Sequence, residues 1–305
     1  MTPSRIRYER LATEQVNRAS RALDRLTPLQ IAALMNREDR RAVRAVARVR
    51  GQIAAAVDAI VAAFRRGGRL FFVGAGTSGR LGVLEAAECP PTFGTPPRLV
   101  QAIIAGGPAA VFRSREGAED DTRAAARAVG ARVRPGDAVV GVSASGVTPF
   151  VRAALAAARR RGARTVLVAC NPTTARGSRA DVVVAPATGP EVLAGSTRLK
   201  AGTATKLVLN TLTTAAMARL GKVYGNRMVD LQPRSAKLRE RAVRVITEIA
   251  GVRRPRARRV LAESGGSVRV AIVMARGRLR ARDATRALRE AGGSLREALQ
   301  ESRRK

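Results

Sequence analysis

Histidine is absent from the 305 residues, which removes the commonest metal ligand and the commonest general base near neutral pH. Acid–base chemistry must then fall to carboxylates, lysines or tyrosine. Tryptophan is also absent and aromatics make up only 3% of the chain, so stacking platforms for single-stranded nucleic acid are not provided. The two cysteines, Cys89 and Cys170, stand singly beside loop motifs, which argues against a disulfide framework or a zinc site. No apolar run reaches the ~18 residues of a membrane span. The opening, MTPSRIRYERLATEQ, has no apolar core like that of a signal peptide. A soluble, cytoplasmic chain with no membrane partner is expected.

Acidic residues are scarce as well, 23 against 57 basic ones, for a net charge of +34. Such an excess invites a nucleic-acid reading. The arginines, however, spread over nearly every predicted helix, and no nucleic-acid motif is present; an arginine-rich surface is the plainer reading. Only five of the basic residues are lysines, and Lys200, Lys206, Lys222 and Lys237 fall close together. A chain that otherwise chooses arginine has reason to use a compact ammonium there.

The length suits one large domain or a domain with an appendage. Residues 5–65 read as helices, over Ile6–Leu26, Thr27–Asn36 and Glu38–Arg66. Strands at 69–73, 99–105, 138–143, 165–169 and 181–185 then alternate with helices at 80–88, 118–132, 149–161 and 199–220. Alternation of this kind predicts an α/β fold, a doubly wound parallel sheet with ligands at the carboxyl ends of its strands. Residues 1–66 form an N-terminal helical segment packing on a core at 67–232, and 233–305 form a small, mainly helical module. Within that module the run Val268–Met274 reads as strand or buried helix.

Residues 69–93, RLFFVGAGTSGRLGVLEAAECPPTF, organise the rest. An apolar run of buried-strand type ends in Gly74, Gly76 and Gly79, read as positions of positive φ and close ligand approach. The letters match the dinucleotide fingerprint, but the second strand ends in Gly106 and Gly107 where an acidic ribose partner is wanted. Gly76, Thr77 and Ser78, with the amides of the following helix, suit a single phosphate; a tight turn needing no ligand is the plainer alternative. A second loop, Ser143–Pro149, repeats the pattern with Ser143, Ser145, Gly146 and Thr148, either as phosphate donors or as ordinary helix caps.

Few carboxylates remain for chemistry. Glu88 precedes CPPTF, which is read as ending its helix in apolar surroundings; burial there would raise its pKa, as a general acid requires, against the surrounding positive field. In the cluster Glu116, Glu119, Asp120 and Asp121, helix capping explains Asp120 and Asp121, while Glu119 fits capping and chemistry equally. The block GPEVLAGSTRLKAGTATKLVLN (189–210) packs Glu191, Ser196, Arg198, Lys200 and Lys206 ahead of an apolar helix, an unusual polar density for a purely structural loop.

GAGTSGRLGVLEAAECPPTFG (74–94), IAGG (104–107), EGAEDD (116–121), SASGVTPF (143–150), the 189–210 block and GKVYGNRMVD (221–230) resemble the N-acetylmuramic acid 6-phosphate etherases. These belong to the sugar isomerase domain superfamily, which also includes the glucokinase regulatory protein. The similarity runs from about residue 11 to about residue 245. It implies cleavage of a lactyl ether on a sugar phosphate during cell-wall recycling, with no metal or organic cofactor and with a homodimer as the assembly. Glu88 matches the family's proton donor to the departing lactate oxygen and Glu119 its other acid/base residue, assigned here to the C2 proton. Ser78, Ser143, Ser145 and Thr148 are expected to hold the phosphate, and Lys200 or Arg198 to stabilise developing enolate charge. Val147 departs from the arginine usual in the family, Phe150 from a frequent tyrosine and Ser235 from a common asparagine. A non-catalytic sugar-phosphate regulator and an aldose/ketose isomerase are the alternatives.

Overall fold

The computed structural model describes residue 9, residues 11–233 and residues 235–301. They fall into two compact units, one comprising residues up to Ala87 with Arg98–Thr213, the other Glu88–Pro97 with the chain from Thr214 on. The expected boundary between residues 232 and 233 is therefore not where compactness changes: the units divide inside two helices.

Helix α1 (Pro28–Arg48) begins at a capping box, in which the Thr27 side chain accepts the Gln30 N–H, the Gln30 side chain accepts the Thr27 N–H, and Pro28 takes the first position. It continues through residue 37, where a break had been expected. The next helix, α2 (Arg50–Arg65), follows at once. The helix predicted over Ile6–Leu26 is not found: its first residues lie outside the described ones, and the remainder forms 3-10 turns at Arg18–Ser20 and Leu23–Arg25.

Strands β1 (Leu70–Gly74), β2 (Val100–Ile104), β3 (Ala138–Val142), β4 (Arg164–Val168) and β5 (Val182–Val184) form a wholly parallel sheet in the order β2-β1-β3-β4-β5. Between them run α3 (Gly76–Phe93), α4 (Thr122–Arg132), α5 (Pro149–Arg160) and the single turn α6 (Pro172–Ala175), and α7 (Lys200–Arg219) follows. The run of α3 past the predicted stop at 88 shows that Pro90 and Pro91 do not end it. Both faces of the sheet are covered. Phe71, Val73, Val139 and Leu167 pack with Val151 and Leu155 of α5 and Val129 of α4, whereas Phe72, on the alternate face, meets Gly82 of α3. The order reverses between β1 and β3, whose ends are level because Gly74 pairs with Val142. The loops leaving those two strands diverge there and open the crevice where open α/β sheets bind ligands.

In the second unit the hairpin β6 (Val223–Tyr224) and β7 (Arg227–Met228) precedes five helices, α8 (Ala236–Ala250), α9 (Arg254–Glu263), α10 (Val268–Gly277), α11 (Ala281–Glu290) and α12 (Leu295–Glu301). The ambiguous run at 268–274 is helix α10, capped by Ser267, and Ile272 and Val273 lie at the centre of the unit's core with Val229, Ile246, Val260 and Leu295. Lys222 and Arg269 converge on Asp230 at 2.8 and 2.5 Å. No described helix is long and apolar enough to cross a membrane.

Candidate active site

At the end of β1 the glycines divide their work differently from expectation. Only Gly76 has positive φ, +51°. Gly74 and Gly79 are needed for contact: a Cβ on Gly74 would lie 2.6 Å from the Gly79 nitrogen, and one on Gly79 would lie 2.7 Å from the Gly74 oxygen. This closeness starts α3 directly off the strand. Its first intrahelical bond runs from the Gly79 N–H to the Ala75 oxygen, so the amides of Gly76, Thr77 and Ser78 stay free at the positive end of the helix dipole.

The loop after β3 is braced by its own hydroxyls. Ser143 Oγ lies 2.7 Å from Thr148 Oγ1 and accepts the Gly146 N–H, Ser145 Oγ accepts the Val147 N–H, and Thr174 donates to the Ser145 oxygen. Between the two loops lies a cavity of about 370 Å³, walled by Gly76, Thr77, Ser78, Ser145, Val147 and Thr148, and on its other sides by Glu119, Asp120, Glu14, Leu11, Gly195 and Thr197. Glu119 and Asp120 reach it from a 3-10 turn entered through Gly117 in the left-handed region. Asp121 instead caps α4 through the Ala124 N–H, as its position predicts. Three larger cavities, about 880 Å³ between α5 and residues 177–180, about 850 Å³ beside β2 and about 560 Å³ among α9, α10 and α11, include neither hydroxyl loop.

Ser143 is buried and, with Gly146, shapes the loop from behind rather than lining the cavity. In the 189–210 block Gly195 and Thr197 line it, while Ser196 and the exposed Arg198 do not. The Glu191 carboxylate is fully buried and accepts the N–H groups of Lys200 and Ala201, capping α7; burial pushes it above the ordinary carboxyl range despite those bonds. Lys200, expected beside developing enolate charge, is 2% exposed and donates at 2.5 Å to Glu38, which also accepts from Asn17. Burial acts to raise the Glu38 pKa, but the hydrogen bonds from Lys200 and Asn17 and the nearby positive charges outweigh it and hold the carboxyl below its ordinary value. Lys206 is likewise occupied, 2.6 Å from the buried Glu85, which also accepts from Thr213. Glu88 is exposed rather than buried. It follows Ser78 by ten residues on α3, about 15 Å along the axis at the helical rise, and does not line the cavity.

Among the described residues no lysine or arginine lines this cavity, and Val147, where the resemblance leads one to expect an arginine, is buried against it. An anion held there would rest on helix amides and hydroxyls alone. Among the described residues no cluster of three or more acidic residues and cysteines is placed to hold a metal ion.

The model of the glucokinase regulatory protein N-terminal SIS domain matches residues 52–159, and that of the SIS domain matches residues 120–215. An N-acetylmuramic acid 6-phosphate etherase of Symbiobacterium thermophilum is 54% identical over 264 residues, covering 87% of this chain and 88% of that protein. The chain belongs to the N-acetylmuramic acid 6-phosphate etherases. Other etherases match comparably, one of Gloeobacter violaceus at 56% identity over 87% of each chain and one of Synechocystis at 50% over 92% of this chain and 93% of that one. A solved phosphoheptose isomerase of Francisella tularensis superposes with a TM-score of 0.49 at 16% identity, covering 63% of this chain and all of that one.

Within this etherase, Glu14 and Thr197 are cavity residues that the sequence reading missed. The resemblance begins at about residue 11, but a stretch read as helix gives no reason to send Glu14 toward the strand ends. The same holds for Asn17 and Glu38, whose partners lie far along the chain.

Proposed function

We propose that the chain is a carbon–oxygen lyase converting N-acetylmuramic acid 6-phosphate and water into N-acetylglucosamine 6-phosphate and D-lactate. The observation that supports this most is Glu119 on the wall of the same cavity as the free amides of Gly76, Thr77 and Ser78 and the hydroxyls of Ser145 and Thr148. An ether oxygen leaves poorly by direct displacement. In the open-chain sugar, however, the C1 aldehyde acidifies the C2 proton, and elimination followed by hydration becomes accessible. With the phosphate at the helix amides, Glu119 takes the C2 proton, the freed electrons form the C2–C3 double bond, and the C3–O bond breaks as Glu88 protonates the lactate oxygen. Water then returns a hydroxyl to C3 and a proton to C2. No change of oxidation state is involved.

Glu88 lies outside the cavity of its own chain, so this reading draws the proton donor from Glu88 of the partner subunit in the homodimer that the resemblance implies. The protein then works as a cytoplasmic enzyme on a small sugar phosphate. An enzymatic lactate assay on the purified protein tests the reaction. Release of D-lactate by the wild type, with its loss in Glu119→Ala and in Glu88→Ala, is expected; sugar-phosphate binding without lactate would mark a regulator, and a ketose product an isomerase. Mixing the two inactive variants under subunit exchange is expected to restore about a quarter of wild-type activity, since half the dimers are mixed and one site in each is whole. Absence of any restoration would place both glutamates in one chain's site.

A further inference from the structure

The cavity holds a carboxylate that the proposed reaction does not use. Glu14 lines it from the N-terminal segment, and several contacts fix that segment in place. The Gly195 N–H donates to the Thr13 oxygen at 3.1 Å, and the buried Asn17 amide donates to both Glu38 and the Pro190 oxygen. Glu38 in turn holds the buried Lys200 at the start of α7. The segment is therefore tied to both ends of the loop bearing Gly195 and Thr197, and the backbone that carries the exposed Glu14 is placed by the fold.

Among the described residues no cation neutralises its carboxylate. Thr13 Oγ1 donates to Oε1 at 3.3 Å, and no described ammonium or guanidinium pairs with it. The other oxygen faces Gly195, where a Cβ would lie 3.2 Å from Oε2 and where φ is +77°, a conformation that side chains strain to adopt. The backbone conformation is what calls for glycine at 195, and the exposed Glu14 carboxylate lies beside it. In a cavity suited to an anion, an unpaired carboxylate opposes the anion's charge. It becomes useful only when the ligand brings hydrogen-bond donors to it.

We propose that Glu14 is a substrate-binding residue of this site, accepting a hydrogen bond from a donor on the ligand's sugar body, a hydroxyl or the acetamido N–H. This rests on the sugar-phosphate reading above. It gives the site two recognition ends: amides and hydroxyls take the phosphate, and Glu14 tests that a polyol or amide donor accompanies it. A bare anion meets only repulsion at that end.

The sign of the effect separates this role from that of a bystander. Calorimetric titration compares wild type, Glu14→Ala and Glu14→Gln with N-acetylglucosamine 6-phosphate and with inorganic phosphate. Glu14→Ala is expected to bind the sugar phosphate about ten- to a hundred-fold more weakly while binding inorganic phosphate unchanged or more tightly, with Glu14→Gln intermediate because it keeps one acceptor. Equal thermal midpoints of the three proteins show that the segment stays docked, and a folding defect would weaken both ligands together. If Glu14→Ala binds both ligands equally well or more tightly, Glu14 is only a source of repulsion and the proposal is overturned. If the wild type binds no sugar phosphate at all, the functional reading fails first and takes this one with it.

Discussion

Each of the three lysines at 200, 206 and 222 ends on a carboxylate that is wholly or largely buried: Glu38, Glu85 and Asp230. Only Lys200 is itself interior, where a compact ammonium suits the space; Asp230 takes Arg269 as well as Lys222, so a guanidinium fits there too. Lys200 is the strictest case, with both partners about 97% removed from solvent. Lys200→Met is expected to cost about 3–5 kcal/mol, because Glu38 would keep a buried charge without its counter-ion. Urea denaturation checks this, and a loss under about 1 kcal/mol would contradict it. The paired change Lys200→Met with Glu38→Leu should recover much of the loss. The pH dependence carries opposite signs for the two buried carboxylates around α7. The Glu38 pKa is lowered in the folded state, so its contribution is complete above the unfolded value of about 4.3 and fades as pH falls through the lower folded value. The Glu191 pKa is raised, so its contribution declines as pH rises from that unfolded value through the raised one. Stability measured from about pH 3 to 7 should therefore show a smaller acid-side loss in Glu38→Gln than in wild type, and Glu191→Gln should remove a decline on the other side of pH 4.3.

Elements whose signals are local were legible, and those fixed by distant partners were not. The five strands lie within a residue or two of their expected places because short apolar runs bounded by glycine and polar residues can be little else in a βα alternation. The N-terminal stretch misled because Thr13 and Asn17 bond to Gly195, Glu38 and Pro190, and no window of neighbours reveals that. For the same reason Lys200 looked like a ligand group: its polarity was visible and its partner, 162 residues away, was not. The glycine turn after β1 was singled out for partly the wrong reason, since two of its three glycines serve strand–helix contact rather than positive φ. Contact of this kind is rigid. Gly79→Ala would drive a methyl group against the Gly74 backbone and Ile104 Cγ1, 2.7 and 2.6 Å away, and should cost about 1–3 kcal/mol while pushing the amides of residues 76–78 out of line. A melting curve and a phosphate titration should both report it. A variant as stable as wild type with unaltered anion binding would show that the turn can relax.

At the scale of the whole molecule, the net charge is +34, yet among the described residues the candidate cavity is lined by no cation. The positive charge then serves approach rather than grip. Arginines spread over the surface sum to a long-range field that draws a dianionic sugar phosphate toward any opening, while the amides and hydroxyls at the strand ends act only within contact distance. Steering and gripping differ in their response to salt. Raising ionic strength from about 0.01 to about 1 M shortens the screening length from about 30 to about 3 Å, which removes the surface field but leaves short-range hydrogen bonds in place. The proposed etherase activity should accordingly lose kcat/KM by at least about tenfold over that range, with kcat nearly constant because the groups that move protons are not screened. Replacing six exposed arginines far from the cavity with glutamine should flatten that salt dependence while leaving kcat unchanged. If kcat falls with salt as steeply as kcat/KM, the field acts on the reaction itself, and the separation of approach from grip is wrong.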